Sequence, residues 1–224
     1  MKKILIFDSS SLINFSMNGL TDLLVNLKKI FKGKFIIPKD VKYEIIDRPL
    51  TIKKFKLEAL KLKKLLDDKI LEMPSSIKIS EQEIKEKSEE ILRKSNSSYF
   101  TKGNFMHIID KGESSCLALN IIAKEKGFES VIVVDERTTR MIGEAPENLR
   151  KLFESKLHSK IELKKDFSFL QNIKFIRSSE LVYVGYKKNL TNLKNGNVLE
   201  ALLYATKYKG CAISFNEIEK AKRF

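Results

Sequence analysis

Two apolar segments that each end in an aspartate constrain the fold of this chain most strongly. Residues 3–7 and 130–134 are short runs dominated by apolar side chains, a pattern typical of strands buried on both faces of a parallel sheet. Asp8 and Asp135 follow these runs directly. Segments with helical apolar spacing alternate with the strand segments, so the sequence predicts an α/β fold with a mainly parallel central sheet flanked by helices.

Capping residues and apolar spacing place the other elements. Further strands are predicted at residues 34–37 and 174–177, and a polar loop is predicted at residues 95–104. The predicted helices, in chain order, cover residues 20–30, 39–46, 51–70, 79–94, 112–126, 136–142, 146–157, 196–209 and 215–222.

The composition excludes several classes of protein. Hydrophobic residues make up 42% of the chain, which is enough for a globular core and excludes a disordered or collagen-like chain. No apolar run approaches the roughly 20 residues that span a bilayer, and the first run is too short for a signal peptide. We therefore expect a cytoplasmic protein without a membrane partner.

The few cysteines and histidines narrow the chemistry of any active site. The two cysteines and two histidines are scattered along the chain and lack the spacing of a structural zinc site. So few histidines give no support for a Ser-His-Asp or Cys-His catalytic arrangement. An active site in this chain is therefore expected to be built from carboxylates.

Basic residues are concentrated toward the two ends of the chain. The 43 Lys and Arg residues against 29 Asp and Glu residues give a formal net charge of +14. Residues 1–74 and 143–224 each carry 16 basic and 9 acidic side chains, whereas residues 75–142 carry 11 of each. Lysines that neutralise phosphates release condensed counterions, so this distribution favours a nucleic-acid partner. The alternative is a lysine-rich solvated surface without a partner.

Four acidic residues stand out by their positions: Asp8, Glu44, Glu113 and Asp135. Each also has an ordinary structural interpretation as a helix cap, a capping-box residue or a solvated helix residue. The carboxyl ends of parallel strands share one edge of a sheet, so Asp8 and Asp135 are expected to lie close together. Like charges there need compensation, and Mg²⁺ or Mn²⁺ would supply it because these cations prefer carboxylate oxygens.

The motifs around these acids together resemble the PIN-domain nucleases. The first motif is a buried strand that ends in Asp8 and is followed by Ser10. The second is a helix that begins Pro-x-x-Val-x-x-Glu and reaches Glu44, and the third is a Gly-Glu pair, with Glu113, that opens an Ala/Leu-rich helix. The last is a strand that ends in Asp135 and precedes an arginine-containing helix.

The resemblance implies a PIN-like three-layer fold and an endoribonuclease that cleaves RNA with a water activated by Mg²⁺ or Mn²⁺. It assigns Asp8, Glu44, Glu113 and Asp135 to the catalytic acidic quartet, and it assigns Ser10 to support of the first aspartate. Many members carry two aspartates where this chain has Asp135-Glu136. The metal ligands that the resemblance implies are Asp8, Glu113, Asp135 and Glu136, with Asp135 preferred at the fourth position and Glu136 either supporting it or binding a second metal.

The resemblance also implies the domain organisation. Residues 1–178 form the expected PIN-like nuclease domain, in which residues 75–105 and 143–172 are insertions without a counterpart in the minimal fold. Residues 179–224 are the expected helical C-terminal extension, which packs on the same domain and is similar to the end of some longer archaeal members.

Basic residues near the acids are candidates for RNA contacts. Arg137 and Arg140 lie one turn apart after Asp135 and are expected either to contact phosphate or to pair with Glu136 or Glu144. Tyr99 and Phe100 either stack on unpaired bases or fold back on the core. On the predicted helix 51–70, one face carries the candidate RNA-binding residues Lys53, Lys56, Lys63 and Lys64.

Other interpretations compete with a ribonuclease. The haloacid-dehalogenase-like phosphatases also have a strand that ends in Asp, but they need a second Asp where this chain has Ser10. A non-catalytic RNA-binding or assembly module with a PIN-like fold is the main alternative. A toxin role with a small antitoxin protein as partner is a further alternative, and a homodimer through the helix 51–70 is another.

Overall fold

The computed structural model describes residues 2–193 and 197–223. The strands of these residues are β1 (Lys2–Phe7), β2 (Gly33–Ile36), β3 (Leu71–Glu72), β4 (Tyr99–Thr101), β5 (Asn104–Phe105), β6 (Phe128–Val133), β7 (Glu162–Leu163) and β8 (Phe175–Ile176). The α-helices are α1 (Ser9–Met17), α2 (Thr21–Ile30), α3 (Lys39–Lys42), α4 (Lys56–Asp67), α5 (Glu81–Ser95), α6 (Lys111–Glu125), α7 (Arg137–Glu144), α8 (Pro146–Leu157), α9 (Ser178–Lys187), α10 (Val198–Tyr208) and α11 (Phe215–Lys222).

The central sheet has five strands in the order β3-β2-β1-β6-β8, and every pairing is parallel. The two strands with the longest apolar runs, β1 and β6, are neighbours, and Phe7 lies opposite Val133 at their carboxyl ends. The Asp8 N–H continues the ladder and donates to the Val133 carbonyl at 2.9 Å. The predicted α/β class with a parallel sheet is therefore confirmed.

Helices flank this sheet as in a three-layer α/β fold. Helix α6 packs on β1 and β6, and α5 packs along the outer side of α6. The helices α1, α2, α4 and α9 form a second group that contacts one another. The core lies between these layers, where Ile6, Phe7 and Leu117 are fully buried. No helix among the described residues is long and apolar enough to cross a membrane.

The predicted helix 51–70 is wrong at its start. The chain forms two 3₁₀ turns, Pro49–Thr51 and Lys53–Phe55, and Ile52 between them is extended with φ −108° and ψ 112°. Helix α4 begins only at Lys56. Apolar spacing alone did not reveal this break, because lysine and leucine suit a 3₁₀ turn and a helix alike at an exposed position.

The predicted helix 39–46 also differs from the structure. The α-helical part ends at Lys42, and a wider π-turn continues it over Tyr43–Asp47. The Arg48 N–H donates to the Tyr43 carbonyl at 2.9 Å, which is the i to i+5 hydrogen bond of this turn. Such single π-turns occur frequently at functional sites, and this one carries Glu44.

The two expected insertions pack together and form a second, antiparallel sheet in the order β5-β4-β7. Residues 95–104, predicted as a loop, contain β4 and the turn of the β4–β5 hairpin. Lys102 and Gly103 form this turn with φ +48° and +81°, the two positive angles that a tight hairpin requires. Tyr99 is fully buried and stacks on Phe167 with ring centroids 5.6 Å apart, so it folds back on the core.

The C-terminal helices divide between two cores. Val182 on α9 belongs to the main core, whereas Leu203 and Ile218 of α10 and α11 form a small second core around Cys211. The predicted start of α10 at Gly196 lies outside the described residues, and its described part begins at Val198. The predictions of helices 146–157 and 215–222 are confirmed.

Candidate active site

The carboxyl edge of the central sheet holds Asp8 between β1 and α1. Asp8 is 3% exposed, and its Oδ2 atom accepts the Ser10 N–H at 3.0 Å and the Ser10 hydroxyl at 2.6 Å. The Ser10 Oγ atom also accepts the N–H of Asp135 at 3.1 Å. Ser10 therefore links the two strand ends and fixes the orientation of the first aspartate.

Glu113 and Glu44 reach this edge from two different helical segments. Glu113 is 8% exposed, completes a capping box with the Asp110 N–H at 2.8 Å, and accepts the Thr139 hydroxyl. Glu44 accepts the Ser9 hydroxyl and the Gly112 N–H. A Cβ atom at Gly112 would lie 2.6 Å from Glu44 Oε2, so the glycine lets this carboxylate approach the start of α6.

Asp135 differs from the other three acids because its carboxylate accepts hydrogen bonds from residues of other helices. It is 1% exposed and accepts the Ser178 N–H and hydroxyl, both at 2.7 Å. The Asn14 amide nitrogen donates to Asp135 at 2.9 Å and to the Thr206 carbonyl at 2.8 Å. Asp135 thus holds α9 and α10 against α1.

Glu136 is the neighbour that faces the other acids. Its carboxyl group lies within hydrogen-bonding reach of Glu113 and feels the charge of Asp8. The acidic cluster, defined here as Asp8, Glu44, Glu113 and Glu136, therefore contains three members of the expected quartet and Glu136. Asp135 is not part of this cluster, although its charge raises the pKa of Asp8.

Burial and mutual repulsion raise the pKa values of the acidic cluster. Burial is the main cause of the raised pKa of Asp8, and Asp135 adds to it. Burial and the charge of Asp8 raise the pKa of Glu113 to about 8, and the same two causes raise the pKa of Glu136. The pKa of Glu44 is raised by burial and, more weakly, by Asp8.

No lysine or arginine of the described residues forms an ion pair with the acidic cluster. Asp8 and Glu113 are buried, and buried carboxylates without a cationic partner are costly, so protons or a bound cation must compensate their charge. Hard carboxylate oxygens are the ligands that Mg²⁺ and Mn²⁺ prefer, and the donor set fits either ion. As positioned, however, no three acidic, histidine or cysteine side chains of residues 2–193 and 197–223 converge on one metal position.

The two candidate arginines on α7 are not paired as salt bridges. Arg137 is exposed, and among the described residues neither it nor Arg140 forms an ion pair with Glu136 or Glu144. The buried Nε atom of Arg140 has no hydrogen-bond partner in this part of the chain. Arg137 is therefore available for an anionic ligand next to Glu136, whereas the Nε atom of Arg140 is shielded from solvent.

The four candidate lysines lie in two adjoining elements. Lys53 lies in the 3₁₀ turn Lys53–Phe55, which leads directly into α4, and Lys56, Lys63 and Lys64 lie on α4. Lys63 and Lys64 form ion pairs with Asp67 at 2.7 Å and Asp68 at 2.8 Å.

Two residues that orient the acids, Ser9 and Thr139, were not identified from the sequence, and Gly112 was recognised only as part of the Gly-Glu motif. Their hydroxyl and N–H groups donate to Glu44 and Glu113, and nothing in their local sequence reveals a partner on another element. His107 and Asp110 form a hydrogen-bonded pair at 2.7 Å at the start of α6. The only available signal for this group was Gly112 before Glu113 at a helix start, a position where alanine favours the helix more.

We expect Gly112→Ala to lower the activity of the site without lowering the stability of the protein. The added Cβ meets the end of a flexible side chain, Glu44, so stability should hold or rise by up to about 1 kcal/mol. Displacement of that carboxylate should lower any activity of the site about 10- to 100-fold. Gly185→Ala in α9 is the control, because its Cβ would lie 2.5 Å from the buried Leu23 and should cost about 1–3 kcal/mol. Equal activity of Gly112→Ala and the unmodified chain would show that the position of Glu44 is unimportant.

The raised pKa of Glu113 predicts a pH-dependent stability of the metal-free protein. Its pKa of about 8 in the folded chain exceeds the ordinary value of 4.5, so the folded state binds this proton more tightly. The contribution of the Glu113 proton to the free energy of unfolding is complete below pH 4.5. It is lost as the pH rises toward 8, by up to about 1.4 kcal/mol per pH unit. Thermal unfolding in EDTA between pH 5 and 8 should show this fall, and Glu113→Gln should flatten it, whereas Glu89→Gln on the exposed side of α5 should not. A steep fall that persists in Glu113→Gln would exclude this carboxyl as the cause.

The chain was compared with protein-family models, with curated proteins and with solved structures, and none of the three comparisons found a match.

Proposed function

We propose that this protein is a metal-dependent endoribonuclease of the PIN-domain type. The observation that carries the proposal is the acidic cluster, in which four carboxylates share the carboxyl edge of a parallel sheet without a cationic partner among the described residues. Hydrolysis of a phosphodiester requires an activated water and neutralisation of the charge that develops on phosphate. A cluster of carboxylates around Mg²⁺ or Mn²⁺ is suited to both tasks.

Each residue of the cluster has a distinct role in this proposal. Asp8, Glu113 and Glu136 would hold the cation, and a bound cation would supply a Lewis acid that lowers the pKa of a water molecule. Glu44 is the fourth carboxylate, and its oxygen atoms would accept a hydrogen bond from a water molecule beside the cluster. Ser10, Ser9 and Thr139 keep the oxygens of Asp8, Glu44 and Glu113 in position. Asp135 is a positioning residue here, because its own oxygens are occupied by Asn14 and Ser178.

RNA is the proposed partner because of the charges that surround the acids. The chain carries a net charge of +14, and Arg137 and Arg140 lie next to Glu136 without an ion pair in the described residues. The Arg137 side chain is exposed, and its guanidinium group can contact phosphate oxygens. The metal-free acidic cluster repels a phosphate, so cation binding and RNA binding should support each other.

Cleavage and thermal unfolding with and without Mn²⁺ test the proposal directly. A labelled single-stranded RNA should be cut in Mg²⁺ or Mn²⁺ and remain intact in excess EDTA. Saturating Mn²⁺ should also raise the unfolding temperature, because an ion that binds only the folded chain stabilises it by mass action. A non-catalytic module whose acids serve as helix caps would show neither effect, and that result would reject the nuclease.

A further inference from the structure

Five lysines line one cleft at the amino edge of the central sheet, the edge opposite the acidic cluster. The cleft has a volume of about 390 Å³, and we call it the lysine pocket. Its lysines belong to the start of β1, the start of β2 and the segment between β3 and α5: Lys2, Lys3, Lys32, Lys34 and Lys78. The chain covers about 20 Å along β1 between Lys2 and Asp8, so the pocket and the acidic cluster are separate sites.

Backbone geometry holds these lysines around one space. Lys3 lies opposite Gly33 in the parallel pairing of β1 and β2. A Cβ atom at Gly33 would overlap the Lys3 carbonyl oxygen, so glycine permits this close approach, and the lysines on either side of Gly33 lie beside the start of β1. Lys78 ends the 3₁₀ turn Pro74–Ile77 with a left-handed backbone at φ +60°, and its N–H donates to the Ser75 carbonyl at 3.0 Å. The lysines are therefore attached to backbone segments that pairing and hydrogen bonds fix in place.

The lysine pocket carries positive charge that the described residues do not compensate. Lys3 pairs with Glu129 at 3.6 Å, and Lys34 pairs with Glu72 at 2.7 Å. Glu72 also pairs with Lys28 at 3.4 Å, so this one carboxylate serves two lysines. The other lysines of the pocket form no ion pair with a described residue: Lys2, Lys32 and Lys78. Like charges that line one cleft repel each other, and an anion bound between them would remove this repulsion.

The rest of the lining shows what kind of anion fits. Ile4 and Ile77 are buried and Phe128 is half-buried, and no acid is among the described residues that line the pocket. Neighbouring strands lie about 4.8 Å apart, so the lysines of β1 and β2 start from adjacent positions, and Lys78 joins them from another segment. A single small anion can contact only some of these ammonium groups, whereas a linear chain of phosphates can contact several.

We propose that the lysine pocket binds the oligophosphate chain of a small ligand, either inorganic tripolyphosphate or a nucleoside triphosphate. Lysine binds phosphate as a compact point charge, and several lysines around one cleft match a ligand that carries several negative charges. A volume of about 390 Å³ is typical of a small-molecule site. The inference does not rest on the proposed ribonuclease function, because no residue of the acidic cluster lines the pocket.

Calorimetric titration of the full chain with sodium tripolyphosphate, in excess EDTA, tests this proposal. EDTA removes cations that would carry phosphate to the acidic cluster. Tripolyphosphate should bind in a one-to-one ratio, with a Kd at least about tenfold below that of orthophosphate, because it reaches more lysines. The triple variant Lys2→Gln, Lys32→Gln and Lys78→Gln should raise this Kd by at least about tenfold, since it removes three phosphate contacts without breaking a described ion pair.

A second triple variant, Lys151→Gln, Lys156→Gln and Lys209→Gln, is the matched control. These lysines are exposed, form no ion pair with a described residue and do not line the pocket. The control removes the same charge from other surfaces of the protein. Its Kd for tripolyphosphate should therefore change by less than about twofold at about 0.15 M salt, where distant charges are screened.

ATP identifies the source of the phosphate chain. A Kd for ATP below that for tripolyphosphate would include the nucleoside in the ligand, an equal or higher Kd would assign the pocket to the inorganic chain, and both results support the proposal. Absence of saturable binding by both compounds, an unchanged Kd in the pocket variant, or an equal loss in the control variant would overturn it. Binding of a single-stranded RNA that the pocket variant loses, without binding of either small ligand, would assign these lysines to a nucleic-acid backbone and also overturn the proposal.

Discussion

Asp8→Asn should reduce metal-dependent RNA cleavage by about 10³-fold or more. The substitution removes one charged ligand at nearly constant volume, and a cation held at this site contributes several kcal/mol of transition-state stabilisation. The asparagine retains an oxygen that can accept the Ser10 N–H and hydroxyl, and asparagine is also a favoured cap for α1. The fold is therefore expected to persist.

Stability gives a second, independent measure of this variant. In EDTA, Asp8→Asn should be as stable as the unmodified protein or more stable, because burial and Asp135 disfavour the charged form of Asp8. In saturating Mn²⁺, the variant should gain less in unfolding temperature than the unmodified chain. Asp22→Asn, on the exposed side of α2, is the control and should leave cleavage and the Mn²⁺ effect unchanged. Full activity of Asp8→Asn would refute the assignment of Asp8 to the site.

Asp135→Ala should destabilise the protein strongly, by about 2–5 kcal/mol. The change leaves the buried N–H and hydroxyl of Ser178 without their acceptor, and each unsatisfied buried group costs about 1–3 kcal/mol. The Asn14 amide loses one of its two acceptors, which loosens the contact between α1 and α10. Asp135→Asn should cost less, since it retains one carbonyl oxygen for the Ser178 N–H.

Glu136→Ala is the matched variant, because it changes the adjacent acid. Glu136 is exposed as a whole residue and makes no ion pair with a described residue, so its removal should change stability by less than about 0.5 kcal/mol. The same change should lower cleavage, because Glu136 faces Asp8 and Glu113. Urea unfolding and cleavage rates, measured for Asp135→Ala and Glu136→Ala, show which of the two acids supports the fold and which serves the cation site. A stable Asp135→Ala variant with reduced cleavage would return Asp135 to the cation site.

The order of elements was largely predictable from the local sequence. Apolar runs ending in Asp8 and Asp135 indicated buried parallel strands, and the predicted helix start at Pro146 is confirmed by the structure. These features were predictable because apolar periodicity and capping hydrogen bonds depend only on residues that are close in the sequence. The break before α4 was missed because no proline or glycine marks Ile52 as extended.

Contacts between distant segments determined the rest. The sequence singled out two adjacent acids, Asp135 and Glu136, but only the tertiary structure decided that Ser178 and Asn14 occupy the first and leave the second facing the cluster. Likewise, the sequence predicted that Tyr99 lies in a loop. In the structure its strand pairs with β7, more than 60 residues later in the chain, and Tyr99 is buried. Local sequence determines which side chains are present and which elements they start or end. The direction of a side chain at a strand end depends on the donors that other elements bring to it, and those donors are known only once the chain has folded.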